Sequence, residues 1–133
     1  MHPKYEKADT LSRRVIGAAI EVHRKMGPGL LESIYEKCLM RELELQEISA
    51  REQTVVAVEY KGFTFEETLR SDILAGECLL LELKAVERVL PIHKAQLLSY
   101  MKLLDVPIGL LFNFHALRMR DGIYRMILPG ANE

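Results

Sequence analysis

A chain of 133 residues, 49% of them apolar, can bury roughly two thirds of the surface its unfolded form exposes, so its core requires neither a metal nor a disulfide. A formal net charge of −1 excludes the strongly basic footprint of a protein that coats nucleic acid, and any phosphate-binding groove must be local. No apolar run reaches the roughly 20 residues of a membrane helix, "MHPKYEKADTLSRR" lacks a signal-type apolar region, and Cys38 and Cys78 have no metal or redox spacing; the expectation is a single cytoplasmic domain over residues 1–133, with no membrane partner.

Leu11, Val15, Ala18, Ala19, Val22 and Met26 recur at three-and-four spacing, which predicts an amphipathic helix from Asp9 to Met26, capped by Asp9 or Thr10 and stopped by Gly27-Pro28-Gly29. A second helix is expected from Leu30 to Gln46, with Leu31, Ile34, Tyr35, Cys38 and Leu39 on one face, giving an N-terminal helical hairpin. After "ISAREQ" the period changes: "TVVAVEY" reads as a strand, "KG" breaks it, and "FTFEETLRSDIL" alternates as the next. "AGE" reads as a turn before the strand "CLLLELKAV". Pro91 suits the first turn of a helix running to Leu104. "IGLLFNF" then reads as a buried strand and "GIYRMIL" as an edge strand. A strand, a helical crossover and a following strand imply parallel pairing, so the sheet should be mixed and the expected class is α/β or α+β with one central sheet.

The strand "LLLELKAVE" sets two opposite charges among leucines. Alternation puts Glu82 and Lys84 on one face and Leu79, Leu81 and Leu83 on the other. The leucine face belongs to the core, and the charged face must be solvated, ion-paired or a site, because glutamate and lysine are almost never fully buried unless paired. A second Glu-x-Lys, Glu59-Tyr60-Lys61, also lies on an expected strand, but its only upstream aspartate is Asp9, in the first helix. Glu82 instead has Asp72 ten residues before it, across a turn.

For Asp72 to meet Glu82, the hairpin must pair 72 with 82, 74 with 80 and 75 with 79, leaving Gly76 to Cys78 as its tip. A two-residue Ala75-Gly76 turn would set Asp72 opposite Leu79 and bury an unpaired carboxylate at a cost of several kcal/mol, so the first register is favoured. Two carboxylates in contact raise each other's pKa unless a cation lies between them. Lys84 supplies one charge and a divalent metal would supply more; magnesium takes carboxylate oxygens with waters and phosphate, and manganese accepts the same set. The backbone carbonyl of Leu83 is a natural third protein ligand.

The stretch "RSDILAGECLLLELK" resembles the Asp and Glu-x-Lys signature of the PD-(D/E)xK nuclease superfamily. "GLLESIY", through Gly29, Glu32 and Tyr35, fits the pattern that gives the GxxExxY family its name, and Gln96 and Tyr100 match the Gln-x-x-x-Tyr element of RecB-like nucleases. The likeness covers residues 10 to 128. It departs from the superfamily name at one position, where Ser71 stands in place of proline.

The resemblance implies a restriction-endonuclease-like fold, with Asp72, Glu82 and the Leu83 carbonyl on Mg2+ or Mn2+ and Lys84 beside the attacking water. Structural ion pairing among Asp72, Glu82, Lys84 and Arg70 is the alternative. Glu32 would add a contact to the site, or else simply favour the helix dipole from the first turn. Tyr35 would pack with its hydroxyl touching the site. Gln96 and Tyr100, one helical turn apart, would contact phosphate or base, or else form a solvated face. His93 reads as a surface histidine. The implied function is Mg2+-dependent endo- or exonucleolytic hydrolysis of DNA, with RNA the second choice. Its rivals are a silent nuclease-fold binding or regulatory module acting through a protein partner and an oligomerisation scaffold using "GIYRMIL". A homodimer would suit a nuclease of this size.

Overall fold

In the computed structural model, which describes residues 1–70 and 72–133, two helices precede every strand. They are α1 (Tyr5–Met26) and α2 (Glu32–Leu45); β1 (Ala50–Glu52), β2 (Val55–Tyr60), β3 (Phe63–Thr68), β4 (Asp72–Ala75) and β5 (Leu79–Lys84) follow. Helix α3 (Pro91–Leu104) leads to β6 (Ile108–Asn113), a short 3-10 turn (Met119–Gly122) and β7 (Ile123–Ile127). Five strands make one mixed sheet in the order β1-β4-β5-β6-β7, while β2 and β3 form a separate antiparallel ribbon. Among the described residues, only β5 and β6, joined through α3, are parallel. This is the mixed, helix-flanked sheet of a restriction-endonuclease-like fold.

Both faces of the central sheet are covered, which suits the near-continuous apolar runs of β5 and β6. Leu79, Leu81 and Leu83 enter the larger cluster with Val15, Tyr35 and Leu39 of α1 and α2. Leu74, Leu80 and Leu111 enter the smaller one with Leu97 and Met101 of α3. Gly109 lets α3 lie close to β6, since a Cβ there would come within 2.6 Å of Met101 Sδ. Helix α3 thereby packs over the charged face of β5.

The register of the β4–β5 hairpin is Asp72↔Glu82, Leu74↔Leu80 and Ala75↔Leu79, with Gly76 to Cys78 at the tip, as the burial argument requires. Gly76 and Glu77 both take positive φ there. Strand β7 is an edge strand, as expected.

Four expectations need correction. Helix α1 begins at Tyr5 rather than Asp9, because Ala8 extends the buried stripe and Asp9, instead of capping, accepts a hydrogen bond from Arg125 at 2.6 Å. Leu31 is not on the buried face of α2; it is the extended residue before the helix and 71% exposed. "ISAREQ" contains β1, which pairs with β4, and "FTFEETLRSDIL" is two strands, β3 and β4. The alternation of the latter segment is continuous, but its two halves have different partners, and Leu69 and Arg70 leave the first ladder before the second begins at Asp72. Ser71, where the superfamily name has proline, lies outside the described residues.

Candidate active site

Antiparallel pairing sets Asp72 and Glu82 side by side at the end of the β4–β5 ladder, and each is only 5% exposed. Two residues on, Lys84 returns to the same face and brings its Nζ to 3.3 Å from Glu82 Oε1. The other carboxylate oxygen, Oε2, is buried without a hydrogen-bond partner among the described residues. Burial pushes the Asp72 carboxyl up to about 7; Glu82 raises it further, Lys84 opposes the rise, and Glu36 and Glu32 reinforce it. Arg70 makes no ion pair among the described residues, so the ionic contact inside the cluster is Lys84 with Glu82.

Helix α3 supplies the opposite wall. Gln96 and Tyr100, one turn apart, face a cleft of about 210 Å³ that Asp72, Glu82 and Lys84 also line. Thr68, Leu69 and Arg70, at the base of the β2–β3 ribbon, close a further side. The Leu69 N–H donates to the Thr54 carbonyl at 2.9 Å, which ties the two legs of the ribbon together there. Leu83 buries its side chain on the opposite face of β5 and lies one residue beyond the last described β4–β5 pair.

Glu32 opens α2 and is half-buried. Burial raises its pKa, Lys84 lowers it and Glu82 raises it, so its carboxylate lies within electrostatic reach of the cluster. Tyr35 packs as expected, its ring stacked on Phe114 at 4.6 Å. Its hydroxyl does not touch the cleft: it donates to the Gly27 carbonyl at 2.6 Å and accepts the Leu30 N–H at 3.0 Å. Those bonds fix the loop ahead of Glu32. His93 is not in the cleft; its Nδ1 accepts the Leu90 N–H at the start of α3.

A sequence model of the PD-(D/E)XK nuclease superfamily matches residues 9–126. The chain belongs to the PD-(D/E)XK nuclease superfamily. No curated protein and no solved structure matches it. Among the described residues of this PD-(D/E)XK domain, no helix is long and apolar enough to cross a membrane.

PD-(D/E)XK nucleases generally use divalent metals, and the residues present fit one. Two buried carboxylates with a single lysine, one oxygen unpartnered and one carboxyl driven toward neutrality, are a site short of positive charge. Among the described residues no three His, Cys, Asp or Glu side chains are grouped to hold a metal. The remaining positions of a cation here would fall to a carbonyl, waters and substrate oxygens, the set magnesium accepts.

The sequence reasoning missed Glu36 and Asn113. Burial, together with a hydrogen bond and charge repulsion from Glu52, raises the Glu36 carboxyl to about 7, and Glu36 in turn acts on Asp72. Its signal was available, since Glu32 and Glu36 are four apart on one helix. Asn113, paired with Lys84 across the β5–β6 ladder, accepts the Val86 N–H at 3.1 Å and donates to the Val86 carbonyl at 2.9 Å. It pins the chain just after Lys84. Nothing in its local sequence announces that role.

Proposed function

We propose that this domain is a nuclease that hydrolyses phosphodiester bonds, of DNA in preference to RNA, with Mg2+ or Mn2+ held by Asp72, Glu82 and the Leu83 carbonyl. The observation that carries the reading is the unpartnered Glu82 oxygen beside Asp72 in a cleft that also contains Lys84. When bound, such a cation polarises a phosphoryl oxygen and acidifies a water.

The chain's own residues do the rest. Asp72 and Glu82 offer fixed carboxylate oxygens that need no rearrangement. Lys84, held at 3.3 Å from Glu82 and backed by the Asn113 clamp on Val86, positions the attacking water and offsets charge growing on the phosphate. Glu32 approaches the same water from α2 and is half-buried, so its carboxylate can accept a hydrogen bond from that water. Gln96 and Tyr100 face the phosphate or base from α3. The water attacks phosphorus in line with the departing sugar oxygen. We further assign the domain to the GxxExxY group on Gly29, Glu32 and Tyr35. Gly29, at φ 96°, and the two hydrogen bonds of the Tyr35 hydroxyl give that pattern a physical purpose, the placement of Glu32.

A second reading, a catalytically silent nuclease-fold module with a protein partner, is favoured by the net charge of −1. Calorimetric titration of Mg2+ and Mn2+ into wild type and Asp72→Asn, followed by cleavage assays on DNA and RNA, separates the two. The nuclease reading expects metal binding that the variant loses and metal-dependent cleavage. Wild type that binds metal and substrate yet cleaves neither nucleic acid establishes the silent module.

A further inference from the structure

The β2–β3 ribbon stands apart from the central sheet, and its register sorts its side chains. Val56, Val58, Phe65, Tyr60 and Phe63 fall on one face, whereas Ala57, Glu59, Thr64 and Glu66 fall on the other. Val56 is 2% exposed near the base, where β2 packs against α3. Exposure then climbs toward the tip, through Phe65 at 38% and Phe63 at 59% to Tyr60 at 64%. Phe63 and Phe65 tilt by 52°, their centroids 5.3 Å apart, and Lys61 Nζ lies 5.4 Å from the centre of the Tyr60 ring. Three exposed aromatic rings on one face of a ribbon form an apolar patch of the kind that marks a contact surface.

We propose that this face is a docking arm for single-stranded nucleic acid, whose unpaired bases stack on Tyr60, Phe63 and Phe65; the inference rests on the nuclease reading of the adjoining cleft. Continuity is the first reason. Thr68, Leu69 and Arg70 end the ribbon and wall the cleft, so a strand leaving Asp72 and Glu82 passes directly onto the arm. Charge is the second. Glu59 and Glu66 are turned to the opposite face, Glu67 alone remains on the aromatic side near the base, and cations stand at both ends, Arg70 at the base and Lys61 at the tip. A polyanion is thereby directed to the aromatic side. The rings themselves select single strands, because bases already stacked in a duplex offer no free faces, and such stacking tolerates any sequence.

The test is fluorescence anisotropy of a labelled oligothymidylate and a duplex of equal length, with divalent cations withheld, run alongside cleavage assays. Wild type is expected to bind the single strand more tightly, and Phe63→Leu, Phe65→Leu and Tyr60→Leu each to weaken that binding about tenfold. Glu66→Gln, on the other face, should not weaken it. Leucine keeps the apolar bulk, so unchanged thermal midpoints keep folding out of the result. Ring variants that bind like wild type, with cleavage intact, overturn the arm and leave the nuclease standing. Ring-dependent binding by a wild type that cleaves nothing supports the arm and overturns hydrolysis. Wild type that binds no oligonucleotide overturns the arm whatever the cleavage assay reads. A wild-type dimer that Phe63→Leu converts to monomer, with oligonucleotide affinity unchanged, gives the patch to a second copy of the chain and also overturns it.

Discussion

Glu59-Tyr60-Lys61 and Glu82-Leu83-Lys84 have the same spacing, but the first runs off the end of its strand while the second lies within one, and the fold gives them unrelated chemistry. Glu59 caps a turn, its Oε1 accepting the Gly62 N–H at 2.7 Å, and Lys61 sits at the bend over the Tyr60 ring. Both are in water, where an ion pair contributes about 1 kcal/mol at most. Glu82 and Lys84 lie on a central strand, with Asp72 across the ladder and α3 overhead. There the same two residue types form a buried cluster with an unsatisfied oxygen. What separates a surface pair from a candidate site is therefore the strand's place in the sheet and the identity of the residue opposite.

The largest contrast should come from the lysines. Lys84→Met is expected to lower metal-dependent cleavage at saturating substrate about a thousandfold, as loss of a preorganised charge does, whereas Lys61→Met, at the tip of the ribbon, weakens substrate binding and leaves the saturated rate unchanged. Equal rates for the two variants would erase the distinction between the sites.

Asp72→Asn should abolish cleavage yet stabilise the metal-free protein at alkaline pH. The folded carboxyl titrates at about 7, above its ordinary 3.8, so between those values the folded state holds a proton that the unfolded chain has released. Stability of the metal-free wild type therefore falls as pH rises from about 4 through about 7, by on the order of 4 kcal/mol at full ionisation, and the asparagine variant lacks that fall. Urea midpoints at pH 5 and pH 8 in chelator measure it; parallel slopes in the two proteins would mean that Asp72 is an ordinary carboxylate. Added magnesium should recover stability at pH 8 in wild type alone, since a ligand that binds only the folded state stabilises it.

A smaller effect is expected at Glu32. Glu32→Gln should reduce kcat about tenfold with little change in substrate affinity, because it acts on the water and not on the substrate. A rise in KM with kcat preserved would instead make Glu32 a substrate contact. The smallest effect belongs to the surface pair: Glu59→Gln should shift stability by no more than about 0.5 kcal/mol, measured by thermal unfolding.

Sequence alone determined most of the frame. The three-and-four spacing of α1 and α2, the alternation of β2 and β5 and the apolar run of β6 each reflect burial that the chain cannot achieve in another conformation. The hairpin register was also legible, because a shift that faced Asp72 against Leu79 would strand a carboxylate in the core. From that register came the meeting of Asp72 with Glu82, and from the period of two came Lys84.

Tertiary structure decided the remainder. Ala50-Arg51-Glu52 has no apolar alternation and becomes β1 only because β4 offers it backbone partners. The break between β3 and β4 follows from a competition between two partner strands that no local pattern records. The link between Glu36 and Glu52, the Asn113 clamp on Val86 and the diversion of the Tyr35 hydroxyl to Gly27 and Leu30 join distant residues or depend on how a loop closes. A sequence constrains what each side chain requires, a partner, a solvent or a core, and only the packed chain determines which neighbour meets that requirement.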